Sequence, residues 1–129
     1  MAVPKEHEEQ VQVVSWCNLM TDRGLGDYDL IYAIANGGQR GKAQAGKLKA
    51  EGVKKGVPDL CLPVPRGGYG ALYIEMKREK GGQVRKTQSE YMARLTRAGN
   101  LCVVCRGAEE AKAAIIEYMG MEADKDARR

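Results

Sequence analysis

Phenylalanine is absent from this chain, and tryptophan and histidine occur once each, as Trp16 and His7. Leu, Ile, Val, Met and Tyr must therefore fill any core. A lone histidine excludes sites built on two or more, the HNH type among them. No run approaches the roughly 20 apolar residues of a membrane span. The opening "MAVPKEHEEQ" is polar and acidic and lacks the pattern of a signal peptide. The expectation is a cytoplasmic protein whose four cysteines, Cys17, Cys61, Cys102 and Cys105, are reduced.

What is present fits one domain. A chain of 129 residues holds one real core, and 43% hydrophobic with 29% charged residues is ordinary for a globular protein. The net charge of +4 permits a polyanionic partner without demanding one. The domain is expected to span residues 1–120, with 121–129 a flexible tail.

Residues 4–20 read as a first helix, with Pro4 at its start and Glu6, Glu8 and Glu9 opposing the helix dipole. "YDLIYAIAN", 28–36, reads as a short strand. Residues 39–56 carry six basic residues against one acid and read as a short helix between loops. "DLCLPV", 59–64, and "ALYIEMK", 71–77, joined by "PRGGYG", form a hairpin. "TQSE", 87–90, reads as a capping box that opens a helix to Ala98. "LCVVC", 101–105, reads as a buried strand, and "AEEAKAAIIEYMG" as the last helix. The order suggests an α/β fold, a central mixed sheet flanked by helices. Cys102 and Cys105 have the spacing of a zinc or redox pair. Residues three apart on a strand face opposite ways, so they read as core thiols.

The chemistry gathers in "GVPDLCLPVPRGGYGALYIEMKRE", 56–79. Glu75 and Lys77 share one face of a strand, roughly 7 Å apart. The hairpin brings Asp59 to the same end of the sheet, since antiparallel neighbours lie about 5 Å apart. Two close, buried carboxylates repel, and one takes up a proton unless a cation neutralises them. A divalent ion held by Asp59 and Glu75 resolves the conflict, and oxygen ligands suit Mg²⁺ or Mn²⁺. Lys77 beside it could orient a water or stabilise a phosphate. An E-x-K alone would be an ordinary salt bridge on a half-exposed strand. The preceding Pro-Asp and the hairpin spacing turn the balance toward metal-assisted phosphodiester hydrolysis. The run Arg40, Lys42, Lys47, Lys49, Lys54 and Lys55 then becomes a candidate track for a DNA backbone.

Pro-Asp, a short hairpin and E-x-K resemble the PD-(D/E)xK nuclease superfamily. "GVPDL" with "LYIEMKREKGGQVRKTQSEYMARLTRAGNLCVVCRG" is similar to the VRR-NUC family in its compact stand-alone form, found in phages and prophages. The likeness covers residues from about 6 to 119 and extends to "ANGGQR" at 35–40, which adds Asn36 to the DNA-facing candidates. It implies a PD-(D/E)xK restriction-endonuclease-like core and a Mg²⁺- or Mn²⁺-dependent endonuclease. It implies that Asp59, Glu75 and Lys77 are catalytic, with Asp59 and Glu75 as metal ligands. The family's glutamine falls on Gln88, which also begins a stripe with Tyr91, Met92 and Leu95. An acid of the first helix, one of Glu6, Glu8 or Glu9, joins the site: Glu6 is favoured and leads a face with Gln10, Val13, Val14 and Cys17, and Glu9 is the alternative, with Val13, Trp16 and Met20. The resemblance further implies a homodimer acting on branched DNA such as four-way junctions. A non-catalytic DNA-binding module of the same fold and a general metal-dependent nuclease are the competing readings.

Overall fold

The computed structural model describes residues 3–35 and 42–123. Helix α1 (Glu6–Asp22) leads through a 3-10 turn (Tyr28–Leu30) into strand β1 (Tyr32–Ala33). Helix α2 (Lys42–Glu51), the hairpin β2 (Leu60–Leu62) and β3 (Leu72–Lys77), helix α3 (Lys86–Arg97), strand β4 (Leu101–Arg106) and helix α4 (Ala108–Met119) follow. The sheet order is β1-β2-β3-β4, with the first two pairings antiparallel and β3–β4 parallel. The right sequence for this is plain: a glycine-rich loop makes the hairpin, and α3 carries the chain back so that β4 runs beside β3. Among the described residues no helix is long and apolar enough to cross a membrane.

The two faces of the sheet are used differently. Leu60, Leu62, Leu72, Ile74 and Met76 pack with Val13 and Cys17 of α1 and with Ala111, Ile115 and Tyr118 of α4. The Tyr118 hydroxyl, buried there, donates to the Val64 carbonyl at 2.6 Å. The alternate residues of β3, Tyr73, Glu75 and Lys77, point to the face on which α3 lies. There the Cys102 thiol meets the Met92 carbonyl of α3 at 3.7 Å.

Several local expectations are corrected. The strand expected over 28–36 shrinks to two residues. Asp27 adopts a left-handed φ of 74°, and the Thr21 hydroxyl accepts the Asp29 N–H at 3.0 Å, which winds Tyr28–Leu30 into a turn. Thr87 does not cap α3: the helix already begins at Lys86, and the Gln88 side chain reaches back to accept the Arg85 N–H at 2.8 Å. β4 is only partly buried, with Val104 38% exposed, because it is an edge strand. Cys102 and Cys105 do face opposite ways, and all four cysteines are free. Burial pushes the Cys105 thiol up to about 11 and Cys17 to about 12, so neither is a ready nucleophile. Residues 121–123 are tied to the hairpin loop, where the Glu122 carbonyl accepts the Gly67 N–H at 2.8 Å.

Glu9 is 3% exposed, and its Oε2 accepts the Ala108 N–H at 2.7 Å. It thus supplies an acceptor to the first turn of α4, where helix geometry leaves N–H groups without carbonyl partners. Gly107 lies against it: a Cβ there would stand 2.6 Å from Glu9 Oε2. Glu9→Ala is expected to lower stability by about 1–3 kcal/mol, the cost of an orphaned buried N–H. Urea unfolding measures it, and Glu9→Gln, which keeps an acceptor oxygen, should lose less.

Candidate active site

The register of the hairpin builds the site. Leu60 pairs with Ile74, and one residue further on Asp59 stands across from Glu75. The Asp59 carbonyl accepts the Ile34 N–H at 2.8 Å, and its Oδ2 accepts the Met76 N–H at 2.7 Å. Asp59 is therefore held from both neighbouring strands. Pro58 before it is fully buried.

Glu75 is 2% and Lys77 6% exposed. Lys77 Nζ meets Glu75 Oε2 at 3.3 Å, and Gln88 Nε2 donates to the same oxygen at 2.9 Å. Gln88 thus has two fixed ends, its oxygen on the Arg85 N–H and its nitrogen on Glu75. The other oxygen, Glu75 Oε1, is buried and has no hydrogen-bond partner. Burial, reinforced by the Asp59 carboxyl, pushes Glu75 up to about 7 against the pull of Lys77. Burial raises Asp59 as well, offset in part by the Met76 N–H.

Glu6, Lys55, Asp59, Glu75, Lys77 and Gln88 line one open cleft of about 1040 Å³. Glu6 enters it from α1, beside the position a side chain on Gly82 would fill. A buried carboxyl carrying an orphaned oxygen, Glu75, and a half-buried one, Asp59, form a donor set that fits a hard divalent cation. Glu6 shares the cleft, yet among the described residues no three Asp, Glu, His or Cys side chains gather at ligand spacing. Asp59 and Glu75 face one another across the hairpin, and Glu6 reaches the same cleft from α1. Glu9 is engaged at α4 instead.

Of the basic residues, Lys55 reaches the cleft, while Lys49 and Lys54 border a neighbouring depression formed by α2 and the loop after it. Lys47 is exposed on α2. Asn36 and Arg40 lie outside the described residues, as does the side chain of Lys42. The cleft also contains Gln83, Arg85, Lys86 and Thr87, which the sequence reading did not single out. Their signal was the basic pair Arg85 and Lys86 at the start of a helix with no acid in its first turn.

A carboxyl raised above its unfolded value of 4.5 binds more protons in the folded than in the unfolded state between pH 4.5 and about 7. Stability from Glu75 is full below that window and lost as pH rises through about 7. Without divalent ions, urea midpoints should fall across this range. Asp59→Asn, which removes the repelling neighbour, should move the fall to lower pH; an unmoved profile would contradict the coupling.

Comparison with known proteins follows the same lines. No curated protein matches the chain. A solved structure described as a VRR_NUC domain protein is 28% identical, with a TM-score of 0.81 over 95% of this chain and 94% of that one. The model of the VRR-NUC domain matches residues 4–109, a span that includes Glu6, Asp59, Glu75, Lys77 and Gln88. With that match over most of its length, the chain belongs to the VRR-NUC domain family and has a nuclease-type fold.

Proposed function

We propose that the protein is a divalent-metal-dependent DNA endonuclease that hydrolyses phosphodiester bonds with Mg²⁺ or Mn²⁺, and that it acts as a homodimer on branched DNA. The observation that carries the catalytic reading is the pairing of the buried Glu75, its Oε1 unpartnered, with the half-buried Asp59 in a cleft open to a polymer. A fold without a reaction to perform would gain from replacing these buried charges with apolar residues. That weighs against a module that only binds DNA.

Asp59 and Glu75 would hold the ion, which supplies positive charge to the scissile phosphate and eases deprotonation of a water. Lys77, held within the cleft by Glu75, offers an ammonium to charge that grows on the phosphate oxygens. Gln88 keeps the Glu75 carboxylate in its rotamer, leaving Oε1 for the ligand. Glu6 stands at the cleft wall, where it can accept a hydrogen bond from a water. Lys47 and Lys49 on α2, and Lys54 and Lys55 on the loop after it, are exposed and suit the DNA backbone on its approach.

The branched substrate and the dimer rest on the family likeness. Symmetry supports them: a four-way junction needs two cuts related by a two-fold axis, and a dimer brings two copies of the Asp59–Glu75 pair. The test is cleavage of linear duplex, flap and four-way-junction DNA with Mg²⁺ or Mn²⁺, alongside light scattering. Asp59→Asn and Glu75→Ala should abolish cleavage while the fold persists. Lys77→Ala should slow it by about 100-fold, the scale of a lost transition-state donor. No metal-dependent cleavage by the wild type would refute the reading. A monomer that cuts linear and branched DNA equally would leave a general nuclease and remove the junction and dimer.

A further inference from the structure

The carboxylate pair leaves the rim of the cleft unexplained. α1 opens with Glu6, Glu8 and Glu9, and α4 with Glu109 and Glu110, as the positive end of a helix favours. α3 does the reverse. It has no acid in its first turn, Arg85 stands immediately before it, and Lys86 is its first residue. Local choices that work against the fold mark positions kept for function. Lys86 meets Glu90 at 3.8 Å with both side chains in solvent. Among the described residues neither Arg85 nor Lys55 makes an ion pair.

The rim is a built structure. Gly56 has φ +82°, and a Cβ there would lie 2.4 Å from the Thr87 carbonyl oxygen and 3.2 Å from the Gln88 nitrogen. Only glycine lets this loop press against the first turn of α3, and the contact stations Lys55 beside that turn. The N–H groups of Lys86 and Thr87 have no carbonyl partner within the helix. Directly below, Glu75 is 2% exposed, lines the same cleft and keeps its unpartnered Oε1. An acidic floor that fits a cation therefore adjoins a basic rim that fits an anion. A nucleic-acid strand brings one phosphate after another past such a site.

We propose that Lys55, Arg85 and the first turn of α3 form a second phosphate subsite, which holds the backbone phosphate adjacent to the one that is cut. This rests on the nuclease reading, since the acidic floor defines where the cut falls. The subsite sets the register of the strand: with the neighbouring phosphate seated at α3, the scissile one lies over Asp59 and Glu75. Lys86, further into solvent, contributes less.

The experiment measures binding in EDTA, where no cleavage occurs. Fluorescein-labelled DNA is titrated with wild type, Arg85→Gln, Lys55→Gln and the double variant over a range of salt. Each lost contact should flatten the slope of log affinity against log salt by about 0.9. Arg85→Lys should restore much of it. A panel of strands, each with one neutral methylphosphonate linkage, then locates the contact. Wild type should lose about tenfold in affinity or more, the scale of a charged hydrogen bond, when the neutral linkage adjoins the cut position mapped with Mg²⁺. The double variant should not respond there. Both side chains are exposed, so circular dichroism and thermal midpoints should match wild type. An unchanged salt slope, or the wild-type interference pattern in the double variant, would overturn the subsite alone. Wild type that cuts no DNA would overturn the nuclease reading and the subsite with it.

Discussion

Glu75 lies in the middle of the sheet, 2% exposed, with one oxygen shared between Lys77 and Gln88 and the other unpartnered. Burying a carboxylate in this way is costly unless a positive charge comes to it. Lys77 supplies part of that charge from within the strand. Burial, reinforced by the Asp59 carboxyl across the hairpin, outweighs it and pushes Glu75 up to about 7. The residues around the pair restrain a site that would relax if they let go: Met76 N–H holds Asp59, and Arg85 N–H holds the far end of Gln88.

The rest of the fold makes that restraint possible. One face of the sheet is closed by α1 and α4 in an aliphatic core, so β3 is rigid and its alternate residues have fixed directions. Among the described residues, α3 packs on the opposite face, and its first turn stops at the cleft. Arg106, beside Lys77 on β4, donates to the carbonyls of Gly81 and Gly82 at 2.7 and 3.1 Å. It ties down the glycine loop that forms one wall of the cleft. Glu9 secures α4 to α1 just beyond the C-terminal end of β4. Stability is thus concentrated behind the site, and the open side is left to polar and basic groups.

The legible parts of the sequence were those where a short-range pattern dictates geometry. E-x-K on a strand, Pro-Asp one hairpin away and the strand–helix–strand return together imply the mixed sheet and the meeting of Asp59 with Glu75. What the sequence hid depends on contacts between distant residues. Glu6 and Glu9 both lie on helical faces with apolar partners, and only the packing of α4 on α1 separates the buried acceptor from the acid at the cleft. The turn at Tyr28–Leu30 depends on the Thr21 hydroxyl, seven residues before Tyr28 and in another element. Gly56 reads as one loop glycine among many until the first turn of α3 is seen against it. Arg85 and Lys86 were plain to read, but their opposition to the helix dipole has meaning only once the helix start is known.

In the proposed function, Asp59 and Glu75 would hold a cation at the expense of a proton. Calorimetric titration of Mn²⁺ or Mg²⁺ near pH 6.5, repeated in buffers of different ionisation enthalpy, measures both events at once. The account predicts binding that releases protons, a release that shrinks as pH is raised above about 7, and loss of binding in Asp59→Asn. No binding by the wild type, or binding that releases no proton and is unchanged in Asp59→Asn, would contradict it.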